Sequence, residues 1–451
     1  MKLSKNVKMF TRYVFPSMIG MLIVGSYSIV DTIFIGRAAG ELGLAAVAIT
    51  WPIVFLFGAV GDMLGTGASI RISQSRGTGD IARARMALSH MIIMQILGGM
   101  LMMMVILPNL GDILRLLGAT NEFIDLSVAY ARILIYFCIP GMLAMGLTSV
   151  IRNDERPVLA MWATIFGLGM NIILDYLFVF PLGMGIIGAA YATIVSQVLG
   201  MGAVLIYFIR GKTHLRLGMD MLRIRMTTIR DIVAPGVPAL GNQMSIITML
   251  LMHNYQAMKY GHVPGLAAYT FVGAVESVGA LLMTGLALGV MPLVAYLYGA
   301  RRHVRKNVVG NMGYVTAAVL GIIMMLISWG GHKIMPGWFN LHGDVANLAG
   351  HALIISSTAF ILLGVIRVAS YYYQATGKIL AASLLIYGDA FVVLPACLFI
   401  LPMLFGLDGV WMAMPVSRLI LFGFVIWLWM GHGHGIHRLR KMRHYRQVVR
   451  P

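Results

Sequence analysis

Runs of apolar residues long enough to cross a lipid bilayer recur along this chain, and no other feature limits its fold as strongly. They fall near residues 10–35, 44–70, 86–108, 126–150, 159–182, 187–209, 232–258, 266–297, 308–330, 348–373, 381–404 and 408–430. About 20 apolar residues cross the hydrocarbon core as a helix. Without water there, each run must satisfy its backbone hydrogen bonds internally, which an open sheet cannot do. The rest of the composition agrees. Only 11% of residues are charged, against roughly 25% in soluble domains, too few to coat a soluble surface. The sequence therefore predicts an all-α integral membrane protein with twelve transmembrane helices. The first run contains Pro16 and Asp31. It is too long for the apolar core of a cleaved signal and reads as a retained span.

The formal net charge of +18 would suit a nucleic-acid binder if it were gathered on one domain. It is instead sorted by loop. Of the 34 Lys and Arg, 27 fall on the side of the N-terminus, including Arg71, Arg76, Arg83, Arg85, Arg301, Arg302, Arg305 and Lys306. Four fall on the other side (Arg37, Arg115, Lys259 and Lys333), and Arg132, Arg367 and Arg418 lie within spans. Basic residues stay cytoplasmic during insertion. Both termini are thus expected inside, in the cell's inner (plasma) membrane, with the basic loops attracted to anionic lipid and no nucleic-acid partner. Cys138 and Cys397 both sit in apolar runs, where a structural disulfide is not expected.

The chain also repeats itself. At an offset of 222, Pro16 matches Pro238, Leu44-Ala45-Ala46 matches Leu266-Ala267-Ala268, Gly67 matches Gly289 and Gly77 matches Gly299. At 221, Gly185 matches Gly406, Gly188 matches Gly409, Ala192 matches Ala413 and Ser196 matches Ser417. Six spans per copy preserve the sense of the topology, so the copies are parallel repeats, two six-helix bundles related by an axis along the membrane normal. The expected boundaries are a first lobe at 1–209, a cytoplasmic linker at 210–231, a second lobe at 232–430 and a basic cytoplasmic tail at 431–451.

Gly211-Lys212-Thr213 lacks the upstream glycine of a phosphate-binding loop, and neither a zinc-protease nor a serine-hydrolase motif occurs. The reading is a transporter driven by an ion gradient, not an enzyme, with no cofactor or metal. Ionisable residues at membrane depth are costly and point to function. Asp31, Asp175 and Thr193 fall at similar depth in the outer half of the first lobe, with Tyr27 and Asn171 each one turn from an aspartate on the same helix face. Two carboxylates with amide and hydroxyl neighbours suit a proton or Na⁺. Tyr27, Glu276, His253, Asn254, Arg132, Arg367 and Arg418 are candidates for the substrate cleft. Asp62 and Asp389 lie toward inner ends, where reaching water is easy.

Val30-Asp31-Thr32-Ile33-Phe34-Ile35-Gly36, Asn171-Ile172-Ile173-Leu174-Asp175, Gly188-Ala189-Ala190-Tyr191-Ala192-Thr193 and Tyr373-Gln374-Ala375-Thr376-Gly377-Lys378, in this order over twelve spans, resemble the multidrug and toxic compound extrusion (MATE) exporters. The resemblance implies two bundles around a cleft and antiport of organic, often cationic, compounds against H⁺ or alternatively Na⁺. Within the family the chain looks like the DinF-like branch, whose aspartates in spans 1 and 5 match Asp31 and Asp175. Another branch carries acids in spans 7 and 10, where this chain has His253, Asn254 and Arg367. At Asp154-Glu155-Arg156 the family's usual glycine is missing. The expected partners are small organic molecules and lipid, with the chain acting as a monomer. A flippase or dedicated exporter for a lipid-linked or amphipathic metabolite, and a passive channel, are the rival readings.

Overall fold

The structure is a computed structural model. It describes residues 2–154, 156–209, 215, 225–339 and 341–431, and no side chains at 2–5, 26–33, 36–41, 247 and 431. Most of the expected linker and the tail beyond 431 therefore lie outside the described residues. Those described contain helices and no strand.

The helices are α1 (Lys2–Thr78), α2 (Ile81–Ile106), α3 (Leu110–Leu116), α4 (Ile124–Tyr136), α5 (Cys138–Asn153), α6 (Pro157–Val179), α7 (Gly185–Ile209), α8 (Met226–Gly299), α9 (His303–Gly331), α10 (Met335–Trp338), α11 (Gly343–Ser357), α12 (Phe360–Ala375), α13 (Ile379–Gly388), α14 (Leu394–Phe405) and α15 (Leu407–Gly431). A π-helical turn, Asp389–Val393, joins α13 to α14.

Length decides how many spans these hold. Nine stretches are long and apolar enough to cross a bilayer, two of them (Asn6–Gly25 and Leu42–Thr78) within α1. Two bent pairs, α4 with α5 at 51° and α11 with α12 at 44°, each make one more. The 74 residues of α8 would stretch about 110 Å as one rod, far beyond a ~30 Å hydrocarbon core. It breaks at His262, where φ is 50° and ψ −151°, so it supplies two spans, and the total among the described residues is twelve. The loop expected between the first two spans does not interrupt α1, whose backbone stays helical throughout.

The repeat is written into the irregularities. The break at Phe137 between α4 and α5 recurs at Thr358–Ala359 between α11 and α12. Gly185 and Gly406 adopt left-handed φ of 57° and 58°, each opening a span where only glycine avoids strain.

The lobes meet through glycine. A side chain at Gly77 would collide with the Tyr296 carbonyl oxygen, and one at Gly299 with that of Gln74. Gly77 and Gly299 are repeat equivalents, and so are Gln74 and Tyr296. A contact and its copy made by equivalent pairs lie about a two-fold axis. On either side of it, Gly67 and Gly236 bring the second span against the seventh, at Ile232 and Met63. Gly285 and Gly289 bring the eighth span against Met18 and Val14 of the first. Such close approach suits lipid, where apolar burial gives no advantage and backbone packing must hold helices together. Gln74 Nε2 donates to Ala375 O at 3.0 Å, Arg305 to Asn6 Oδ1 at 3.0 Å, and Arg71 pairs with Asp231 at 2.7 Å. These contacts lie in the halves of the spans nearest the basic loops.

Candidate functional site

In the first lobe, α6 is amphipathic in the sense opposite to a soluble helix. Trp162, Phe166, Ile173, Tyr176 and Leu177 face outward, while Asn171, Asp175 and Val179 form a stripe turned into the bundle. Asp175 is 0% and Asn171 2% exposed. The four-residue spacing that the sequence suggested for this pair thus does place both on one buried face. One turn further, Val179 packs in one apolar cluster with Ile35 of α1 and with Ala189 and Ala190 of α7. The Phe34 and Phe180 rings meet edge-on at 5.8 Å. A cavity of about 170 Å³ lies beside this region, lined by Val47, Thr50, Trp51, Tyr130, Thr193 and Gln197 among others. The side chains of Asp31 and Tyr27 lie outside the described residues.

The second lobe holds an ionic cluster that sequence reading resolved only in part. Arg418, midway along α15 and 3% exposed, donates to Asp389 on the π-helical turn. Arg367 of α12 donates to Asn242 Oδ1, and Asn242 Nδ2 reaches the Tyr371 hydroxyl at 3.5 Å. Asn242, Arg367, Asp389 and Arg418 surround one small pocket with Ser245 and Ser370. Asp389 therefore does not reach for water at the inner end of its span, as its position had suggested; a guanidinium neutralises it inside the bundle. Asn242, Ser245 and Ser370 went unremarked in the sequence, because no local pattern marks a polar residue as lining a pocket; Ser370 lines this one while its hydroxyl donates to Ile366 O of its own helix at 3.0 Å.

Glu276 is buried, its Oε2 has no hydrogen-bond partner, and it stands within Coulombic reach of Arg418. His253 stacks on Tyr269 with ring centroids 4.9 Å apart, and its Nδ1 donates to Met249 O at 2.9 Å. Its neighbour Asn254 is half-buried, and Arg132 is exposed on α4. Neither lines the pocket shared by Arg367 and Arg418. The candidates thus divide into a first-lobe group, a second-lobe cluster and an outlying Arg132.

Asp154, where the family's glycine was missing, is buried. It accepts from the Tyr207 hydroxyl at 2.7 Å and pairs with Arg76 at 3.2 Å. It ties the α5–α6 turn to the end of the second span. Outside the spans, desolvation beside the Tyr373 ring, 5.8 Å away, holds the Lys378 ammonium below its usual pKa.

The MatE family model matches residues 16–177 and again 238–397. The chain belongs to the MatE family. Its members are membrane transporters rather than enzymes, and the double match begins at Pro16 and Pro238, the pair that opens the internal repeat. The multidrug export protein MepA of Staphylococcus aureus (strain MSSA476) is 27% identical over 406 residues, 89% of each chain. MepA of Staphylococcus saprophyticus is 26% identical over 408 residues, 90% of this chain and 89% of the relative. Among solved structures, an outward-facing multidrug resistance MATE family transporter of the MOP superfamily superposes with a TM-score of 0.89 at 23% identity, over 94% of this chain and 95% of that one. A MOP superfamily transporter from Pyrococcus furiosus, described as having a binding pocket of reverse polarity, gives 0.88 at 23%, with the same coverage. The MatE architecture, twelve spans in two repeats, is thereby this chain's fold.

Proposed function

We propose that this MatE chain is a secondary antiporter that exports amphipathic, often cationic organic compounds across the inner membrane in exchange for protons. The observation that carries the reading is the buried Asn171–Asp175 stripe, set in the half of the first lobe farthest from the glycine contacts that join the lobes. The basic loops mark the cytoplasmic side, with both termini inside. On that assignment the lobes touch at the cytoplasmic end, and the described conformation faces outward. The export activity named for the staphylococcal relatives supports the direction and the substrate class. Residues 1–209 and 232–430 act as the two lobes, and the chain works as a monomer.

In this reading Asp31 and Asp175 share the coupling site, with Asn171 and Thr193 as polar neighbours. Packing supports it: Ile35 and Val179, each one turn beyond an aspartate, sit in one cluster. Two carboxylates held together away from bulk water resist double ionisation, so one binds a proton entering from outside. Protonation removes a buried charge and lets the first span bend near Pro16, where a backbone hydrogen bond is missing. That turn is the one Gly285 and Gly289 touch, so a bend there acts directly on the contact between lobes. Substrate leaves outward, and return of the proton to the cytoplasm resets the carrier. Na⁺ held by Asp31, Asn171 and Asp175 is the competing version.

The test is transport in liposomes under an imposed pH gradient without Na⁺. The native protein is expected to transport. Asp31→Asn is expected to lose gradient-driven transport while still folding, and Asp175→Asn to lose most of it. Full proton-driven transport by Asp31→Asn overturns the assignment, and a strict Na⁺ requirement keeps the site but changes the ion.

A further inference from the structure

Arg367 lies within a membrane span, yet its hydrogen-bond partner is a neutral amide, Asn242 Oδ1. Among the described residues no carboxylate comes within salt-bridge distance of it, and Asp389, whose charge acts on it from farther away, is paired with Arg418. Glu276 acts on Arg418 and is not among the residues lining the pocket. The pocket formed by Asn242, Ser245, Arg367, Ser370, Asp389 and Arg418 thus holds two guanidiniums and one carboxylate, a surplus of one positive charge. A guanidinium at membrane depth without a counter-charge is costly. A built pocket around one is what a site for a negative group requires. The Ser245 hydroxyl and the Asn242 amide add neutral donors, while the Ser370 hydroxyl donates to Ile366 O of its own helix at 3.0 Å, and the guanidinium fork matches the two oxygens of a carboxylate. Free space of about 20 Å³ is little more than one water needs, so a small terminal group enters and a ring does not. Leu363, Ile366 and Leu385 on the same walls suit the apolar stem behind it.

We propose that this second-lobe pocket binds the carboxylate of an amphipathic anionic or zwitterionic substrate, with Arg367 as its principal partner. The inference rests on the exporter reading and deepens it, adding to the organic cations a class bearing a negative group.

An equilibrium binding experiment needs no ion gradient, so its outcome is separate from that of the coupling hypothesis. The full chain is placed in phosphatidylcholine nanodiscs, and the fluorescent probes are pyrenebutyrate and its methyl ester. The native protein is expected to prefer the carboxylate by roughly 10- to 100-fold, the range of a charge-assisted hydrogen bond. In Arg367→Gln the carboxylate-to-ester ratio should fall to about one. Arg367→Lys keeps the charge and should retain part of the preference, which keeps the test readable if the glutamine variant folds poorly. Equal loss of both probes in Arg367→Gln would mean a packing role, and an unchanged ratio would mean the carboxylate binds elsewhere; either overturns the proposal. The source of the anion is read by adding phosphatidylglycerol to the nanodiscs. If the Arg367-dependent preference survives, the site is for solute. If it is abolished, the pocket belongs to a lipid phosphate and the substrate assignment falls.

Discussion

Arg418 and Asp389 show how much a single residue can commit in this environment. Both are largely buried, with side-chain exposures of 4% and 13%, and each neutralises the other. Removing one partner leaves the other without its hydrogen-bonded counter-ion, which in buried pairs costs about 3–5 kcal/mol, whereas replacing both with apolar groups is often neutral. Arg418→Met should therefore lower the thermal unfolding midpoint in detergent markedly, and Asp389→Leu/Arg418→Met should recover most of the loss. A double variant as unstable as the single one would mean that the pair matters through its shape rather than its charge. Both residues were visible in the sequence as intramembrane charges, but their pairing was not. They stand 29 residues apart on different helices, and the π-helical turn that carries Asp389 leaves no mark in hydropathy. Asn171 and Asp175 are the opposite case. Their relation is one helical turn, so spacing alone put them on one face, and the structure buries that face.

At the scale of elements, the closed end of the molecule depends on backbone approaching backbone. Gly77 and Gly299 leave no room for a Cβ against the facing carbonyls of Tyr296 and Gln74, so any side chain there must push the second and eighth spans apart. Gly299→Val should fold, since each lobe keeps its own core, but it should spend less time closed at the basic end and transport at a small fraction of the native rate. Spin labels at Thr78→Cys and Arg302→Cys, both exposed, would report a longer distance than in the unsubstituted glycine background. The native cysteines, Cys138 and Cys397, are buried and give little background labelling. An unchanged distance with full transport would show that this crossing does not set the closed state. The repeat matched Gly77 to Gly299 by position alone; that the two face each other's helices required the assembled lobes.

For the molecule as a whole, the charge distribution makes an orientation prediction. Reporter fusions near Arg225, just before α8, should read cytoplasmic, as should fusions after Arg302. Fusions after Arg115 or Lys333 should read outside. A periplasmic reading at Arg225 would reverse the assignment of the closed end and with it the outward-facing reading of this conformation. The two-fold relation adds a second consequence. The family model matches each half separately and Gly185 and Gly406 share one backbone conformation, yet the halves carry different polar groups. Asn171–Asp175 lies in one and Arg367–Arg418–Asp389 in the other.

The sequence by itself determined whatever depends on a local or periodic rule. Run length against bilayer thickness set the twelve spans, loop charge set the predicted orientation, the 222-residue offset set the two parallel bundles, and i,i+4 spacing set the buried stripe of α6. The tertiary structure decided whatever depends on which helices become neighbours. It broke the fourth and tenth spans at Phe137 and Thr358–Ala359, carried α1 unbroken through two spans, closed the lobes at the basic end, and gave Arg418 rather than water to Asp389 while leaving Arg367 with an amide. The physical reason is that lipid selects helices one at a time by their length and polarity. Which buried charges meet is fixed only when the helices pack, through contacts between residues far apart in the chain.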